Sequence, residues 1–516
     1  MKKYNLHRLV TAAASNYSAF IIRMLIMVFL TRLLFLGLDT EDYGFWALLW
    51  SIFAYSLLLD FGYGTTLMKA TSEVTVLQHW QHYNQLLSTV LINYLLIGLI
   101  IAVASVLLSW QLPRLFNFDA SANEDYYRLA LLVFGCGTGL VFPFGVFTEV
   151  LRGLQKFHLR NALLTLREVL NFIGMFYAIR QENPLVSMAI VAVASQLICN
   201  LLMAIACFKA MPKLSVSVRL YSTKINRSIT RFSLLAYIIT LASLICYKSD
   251  QIVISVFSTF TVVAFYHVAL RWSEIYRMLA SQMQDILAPM AAALNSEGSV
   301  NESQQLIVFS NKIITAIATA FVIPITFFAQ PLLFIWLEID NKDTLICSYI
   351  LLFCTWFTVV FRHTSAQILL VSEHQKSLAI IAAVECTSNL LLSIYLIHLY
   401  GIIGVAIGTL LPSLLLGLLA NIPLAGRFCH LSIARYLQLS FLSPIITGLI
   451  TVTLTYGLIY TFEPQHLSSI IACSLIAIVF YVALFFFMGF NQQERNSAHH
   501  GLRDFIRSTH RSSSKR

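Results

Sequence analysis

Between Val262 and Pro289 the chain places seven polar side chains where an apolar run should stand. Read as a helix at about 100° per residue, His267, Arg271, Glu274, Arg277, Ser281, Gln282 and Asp285 share one stripe. That stripe spans about 140° of the helix surface, and Ile275, Leu279 and Ile286 fall outside it. A charge at membrane depth costs at least ~2.5–3.5 kcal/mol, so such a stripe faces a partner or a wet cavity rather than lipid. Glu274 stands three residues from both arginines, a spacing that allows internal ion pairs. Pairing leaves one cation over, which favours a cavity lining. Guanidinium stays protonated and offers a planar fork of donors, so the chemistry is anion holding rather than catalysis.

Other polar residues repeat the theme. Arg160, Arg167 and Asn171 fall within about 40° of one helix face, with Glu168 beside them. Arg23 sits in the middle of an apolar run that holds no acid. Glu385 lies mid-run and is the candidate to carry a coupling proton, with Glu168 second. The candidate substrate-binding set is therefore Arg271, Arg23, Arg277 and Arg167. His267, Glu274, Gln282, Asp285 and Asn171 are expected to line the cavity. His79 with His82, and His499 with His500, have ligand-like spacing but no third ligand nearby, so no metal and no cofactor are expected.

The elements that must position these residues follow from composition. Of 516 residues, 58% are hydrophobic and 11% charged. A soluble domain carries roughly 25% charged residues, so this chain could not cover a water-facing surface of its size. The composition predicts an all-α polytopic membrane protein and excludes a soluble enzyme or a disordered chain. Fourteen apolar runs can span, near 15–36, 43–64, 85–109, 127–147, 160–179, 185–207, 232–256, 261–289, 306–329, 344–366, 377–397, 401–421, 440–461 and 467–489. The first is too long for a signal-peptide core and reads as a retained helix. Gly135, Gly137 and Gly139, followed by Pro143, predict close helix packing and a kink.

Net charge is +10, and the cations collect on alternate loops. One side holds Arg152, Lys156 and Arg160, the connector from Lys209 to Arg231, Lys376, Arg427, Arg435 and the tail beyond residue 490. The other holds Asp39, Glu41, Asp42, Asp119, Glu124, Asp125, Glu338, Asp340 and Asp343. The positive-inside rule then puts both termini in the cytoplasm. The nine cysteines sit mostly in apolar runs without a C-x-x-C, as small hydrophobes do, and no disulfide is expected. No Gly-Lys dipeptide exists, hence no Walker A loop.

Residues 151–173 lie over 369–391 with Asn171 on Asn389, and 43–47 lie loosely over 263–267. Both offsets are near 220, which predicts two six-helix halves. The expected organisation is a bundle over 1–208, a basic connector 209–231, a second bundle over 232–425, two further helices in 426–489 and a basic tail 490–516.

Several runs resemble the polysaccharide (O-antigen) flippase family, of the larger group that also holds multidrug exporters and lipid II flippases. They are LTRLLFLGLDTEDYGFWALLWSIFAYSLLLDFGYG (30–64), LRGLQKF (151–157), RFSLL (231–235), KSDQIVISVF (248–257), VAFYHVALR (263–271) and LAPMAAAL (287–294). The resemblance implies a non-enzymatic inner-membrane flippase that carries an undecaprenyl-pyrophosphate-linked oligosaccharide outwards. It also implies two six-helix bundles around a central cavity, alternating access, and polymerase and chain-length proteins as partners, with no nucleic acid. A pyrophosphate needs arginine forks and sugars need a wet cavity, while the polyprenyl tail can stay in lipid. The competing readings are a cation or drug antiporter of the same fold, and a membrane glycosyltransferase or polymerase using Asp39, Glu41 and Asp42.

Overall fold

The computed structural model describes residues 6–118, 123–232, 234–284, 300–369, 375–462, 464 and 466–490, with side chains set aside at 6–17, 228–240, 279–284, 300–304, 363, 364, 367 and 368. All regular structure among them is helical. In hydrocarbon every backbone N–H and C=O must be bonded within the chain, and a helix does this segment by segment. Among the described residues ten stretches are long and apolar enough to cross a membrane, which makes this a multi-pass membrane protein. One of them, Gln375–Phe428, is 54 residues long and is bent sharply at Gly401, whose φ is 58° and ψ −138°.

The described residues form two compact units, one drawn from Met1–Val268 with Ala382–Gly408, the other from Ala269–Ile381 with Thr409–Arg516. The division falls within two helices rather than at the connector 209–231.

The first unit contains α1 (Leu6–Gly37), α2 (Thr40–Ala54), α3 (Tyr63–Leu77), α4 (Trp80–Leu115), α5 (Glu124–Val141), α6 (Val146–Gly153), α7 (Phe157–Ala178), α8 (Pro184–Ala210), α9 (Thr223–Phe232) and α10 (Leu234–Phe257). The first turns of α11 (Phe260–Gln284) and the later stretch Ala382–Gly408 complete it. The break between α2 and α3 has a local cause. A 3-10 turn over Tyr55–Asp60 tightens the helix, and Phe61 and Gly62 take positive φ of 46° and 77°. Asp60 then starts α3: its Oδ1 accepts the Gly64 N–H at 3.1 Å and a hydroxyl hydrogen bond from Tyr94.

The three glycines of α5 each permit a close approach, as their spacing predicts. A Cβ on Gly135 would strike Ser105 of α4, and one on Gly137 would strike Val193 of α8. Gly139 and Gly98 face each other so closely that a Cβ on either would meet the other's carbonyl oxygen. Pro143 opens a 3-10 turn that separates α5 from α6. Gly139→Val should therefore destabilise the α4–α5 contact by about 1–3 kcal/mol, read as a lower melting temperature in detergent. Gly145→Ala, with nothing within 4 Å of its Cβ, should leave that temperature unchanged.

The second unit contains the rest of α11, α12 (Val300–Phe327), α13 (Ala329–Leu337), α14 (Lys342–Thr358), α15 (Thr364–Leu369), the two ends of α16 (Gln375–Leu416), α17 (Ile422–Phe428), α18 (Ile433–Leu437), α19 (Ser443–Phe462) and α20 (Leu467–Gly489). Here α12 packs against α14, α19 and α20. Ala316, Ala320 and Ile323 meet Tyr481 and Phe485, while Phe328 meets Ile470 and Cys473. Small residues at this spacing let membrane helices approach closely. Three π-helical turns, Val359–His363, Gly417–Asn421 and Gln438–Leu442, interrupt the unit's helices. Asn311 lies between two of them and donates through Nδ2 to Ser365 Oγ at 3.2 Å and to Tyr436 OH at 2.7 Å.

Candidate functional site

Three cationic residues of the first unit, Arg23, Arg160 and Arg167, stand on two packed helices, α1 and α7. Arg23 is half-buried, and its Nε donates to the carbonyl of Ala19 at 3.1 Å. It lies within electrostatic reach of Arg167 and Glu168, and also of Arg160. Arg167 donates to Oε1 of Glu168 from both Nε and Nη2, at 3.1 and 2.6 Å. Arg160 is within reach of Glu149 and Arg152, which pair with each other at 3.4 Å, and its Nε is buried without a hydrogen-bond partner. Arg23, Arg160, Arg167 and Arg152 thus stand around two carboxylates, Glu168 and Glu149. One turn beyond Arg167, Oδ1 of Asn171 is buried and unpartnered. This cluster offers a net positive, donor-rich surface, suited to an anion with several oxygens.

The α11 stripe divides between the units. In the first, His267 is buried and its Nδ1 is 2.9 Å from the hydroxyl of Tyr43. In the second, Arg271 Nη1 donates to Glu274 Oε2 at 2.7 Å, with the side chains 23% and 13% exposed. The internal pair open from sequence is therefore made. Beside it, Trp272 packs edge-on against Trp336 with ring centroids 5.2 Å apart. The indole Nε1 of Trp272 and the Oγ of Ser273 are buried without partners. Arg277 is half-buried and takes part in an interaction. Asp285 and the side chain of Gln282 lie outside the described residues.

A second group of polar residues is fully enclosed in the first unit. Glu385 on α16 is 2% exposed and Asp250 on α10 is 3% exposed. These helices run parallel: Ala242 and Cys246 pack with Ala382 and Cys386, and further along Phe257 meets His398 at 4.9 Å. The constant offset brings Ser249 level with Asn389. Both are buried, and neither Ser249 Oγ nor Asn389 Oδ1 has a partner. Asp250 accepts from Tyr266 OH at 2.6 Å, and Gln251 bonds to Ser51. Tyr55 lies within electrostatic reach of Asp250, Cys246 and Cys386. The sequence singles out Glu385 here and Asn389 only as a repeat match, and by itself assigns no role to Asp250. The available signal was four polar residues in a row, Lys248 to Gln251, within an otherwise apolar run.

Asp42, in the first turn of α2, takes a structural part. Asp42 accepts from Tyr126 OH at 3.1 Å and from Tyr127 OH at 2.9 Å, while Tyr126 OH accepts the Leu185 N–H. This ties α2 to α5 and α8. Among the described residues no group of three His, Cys, Asp or Glu is placed to hold a metal ion.

No protein-family model matches the chain, and no curated protein matches it by sequence. Solved structures do. The structure of the lipid II flippase MurJ in an inward closed conformation has a TM-score of 0.69, with 17% identity over 92% of this chain and 98% of that one. An inward-facing multidrug resistance MATE family transporter of the MOP superfamily has a TM-score of 0.65, with 15% identity over 82% and 99%. A MOP superfamily transporter from Pyrococcus furiosus has a TM-score of 0.57, with 16% identity over 81% and 96%. The chain has the fold of these transporters: an all-helical, multi-pass membrane protein.

Proposed function

We propose that the protein is a non-enzymatic flippase that moves an undecaprenyl-pyrophosphate-linked oligosaccharide across the bacterial inner membrane for surface-polysaccharide assembly. The observation that carries this reading is the excess of half-buried guanidinium groups at membrane depth. A single such charge costs at least ~2.5–3.5 kcal/mol at a helix centre, so a cluster in which cations outnumber the acids beside them is retained for an anionic ligand. Arg23 and Arg167 in the first unit, and Arg271 and Arg277 in the second, are the proposed head-group ligands. Asn171, with a spare acceptor, and the Trp272–Ser273 pair, with spare donors, suit sugar hydroxyls. The fold shared with a lipid II flippase over 92% of the chain supports a lipid-linked cargo.

In this reading fourteen spans form two six-helix bundles and two further helices, with both termini in the cytoplasm. α7, α10 and α11 then cross the membrane as polar-faced spans, and Gln375–Phe428 crosses twice. Polymerase and chain-length proteins would act on the exported unit. The enclosed acids Asp250 and Glu385 are the proposed ion-coupling groups.

Those acids also favour a second reading, export of an organic cation coupled to an ion gradient, in keeping with the MATE fold likeness. Binding separates the two. Purified protein should be stabilised against heat by a pyrophosphoryl-linked oligosaccharide of polyprenol and not by the same glycan on a neutral lipid. Stabilisation by lipophilic cations, with no response to the pyrophosphate, would favour the exporter.

A further inference from the structure

The chain between α8 and α10 carries a surface feature that cargo transport does not use. Residues 209–231 contain six cations, Lys209, Lys213, Arg219, Lys224, Arg227 and Arg231, and no Asp or Glu. This connector is fastened lengthwise to a polar row on α4. Asn84 donates through Nδ2 to the Lys213 carbonyl at 3.1 Å and accepts the Ser215 N–H at 3.2 Å. Ser88 Oγ accepts the Ser217 N–H at 3.2 Å, and Thr89 Oγ1 accepts the Ser222 N–H at 3.1 Å. Asn93 Nδ2 and Tyr63 OH both donate to Asn226 Oδ1, at 3.0 and 2.6 Å. Met211 and Leu214 are buried beneath the strap.

These bonds hold in place the backbone from which the outward side chains project. Lys209, Lys213, Arg219, Lys224 and Arg227 are all exposed. Apolar groups stand among them: Val216, Val218 and Tyr221 are 42%, 79% and 37% exposed. The adjoining end of α3 adds Val76 and Leu77, 78% and 57% exposed. A mobile basic loop would serve topology equally well, so the rigid fastening and the exposed valines call for another reason. The strap follows α8, which is long and apolar enough to cross a membrane, and in the topology proposed above it leads into a second crossing by α10, so it lies at a bilayer face. Cations interleaved with outward apolar groups on a fixed backbone match the headgroup region of an anionic leaflet, where phosphates meet the first methylenes.

We propose that the strap is a binding surface for anionic phospholipid headgroups, with Lys213, Arg219, Lys224 and Arg227 holding the phosphates and Val216, Val218 and Tyr221 seated at the acyl boundary. Each cation near an anionic surface contributes about a fivefold gain in partitioning. Membranes of equal phosphatidylglycerol and phosphatidylcholine provide the test, with the full-length protein reconstituted and a photo-crosslinking residue in place of Val218. Adducts should be lipid, with phosphatidylglycerol exceeding phosphatidylcholine by roughly tenfold. The combined variant Lys213→Gln, Arg219→Gln, Lys224→Gln, Arg227→Gln should bring that ratio close to one. Lipid adducts that merely mirror membrane composition in the otherwise native chain would overturn the proposal. So would adducts to protein alone, which would mark a docking surface for another chain. The crosslink in the native charge background decides the matter even where the fourfold variant fails to fold.

Discussion

Arg271→Ala should abolish or sharply reduce export of the glycan while the protein still reaches the membrane. The guanidinium is bonded to Glu274 and only 23% exposed, so any phosphate contact it makes forms away from bulk water. One charge-assisted contact there is worth about 1.5–3 kcal/mol, which corresponds to a roughly ten- to hundredfold loss of binding. Arg271→Lys should keep part of the activity, because the charge survives but the fork does not. If Arg271 served only to neutralise Glu274, the double change Arg271→Ala with Glu274→Ala would restore export. Recovery in that double variant, at normal expression, would remove Arg271 from the binding set.

Glu385→Gln and Asp250→Asn should each abolish the dependence of transport on an ion gradient and leave the protein inserted and folded. Both replacements keep the shape of a side chain that is almost wholly enclosed and remove its ability to carry charge. Both acids are buried in the first unit, on helices that meet through Ala242, Ala382 and Cys386, and Tyr55 stands within electrostatic reach of Asp250 and of Cys386 beside Glu385. The measurement is export rate against an imposed pH or sodium gradient in reconstituted vesicles. A gradient response equal to that of the parent in both variants would take these two acids out of coupling.

Much of the fold was legible because a membrane leaves the backbone few choices. A low charge content with long apolar runs specifies helices, and Gly139 and Pro143 marked a close crossing and a break that the structure contains. The Arg271–Glu274 pair was legible for the same local reason, since residues three apart share a helix face. What escaped was everything set by distant partners. Asp250 stands near the end of its apolar run, yet it is buried, with Tyr266 of the next helix bonded to it and Tyr55, almost two hundred residues earlier, within electrostatic reach. The π-helical turns depend on packing in the second unit and leave no periodic trace in sequence. Asn84, Ser88, Thr89 and Asn93 read as polar interruptions of an apolar run, because the strap that uses them lies more than a hundred residues away. The acids at the start of α2 looked available for metal or base chemistry, and only long-range contacts show that tyrosines of α5 occupy Asp42.

The most direct test of the account is leaflet exchange in sealed vesicles that contain only the purified protein and a fluorescent polyprenyl-pyrophosphoryl oligosaccharide. An impermeant glycan-cleaving enzyme outside reports which leaflet the cargo occupies. The account predicts that the protein makes the inner-leaflet pool accessible, that Arg271→Ala vesicles leave it protected, and that the same glycan on a neutral lipid stays protected. A protected inner pool with every lipid-linked oligosaccharide, alongside gradient-driven movement of an organic cation by the same vesicles, would contradict it.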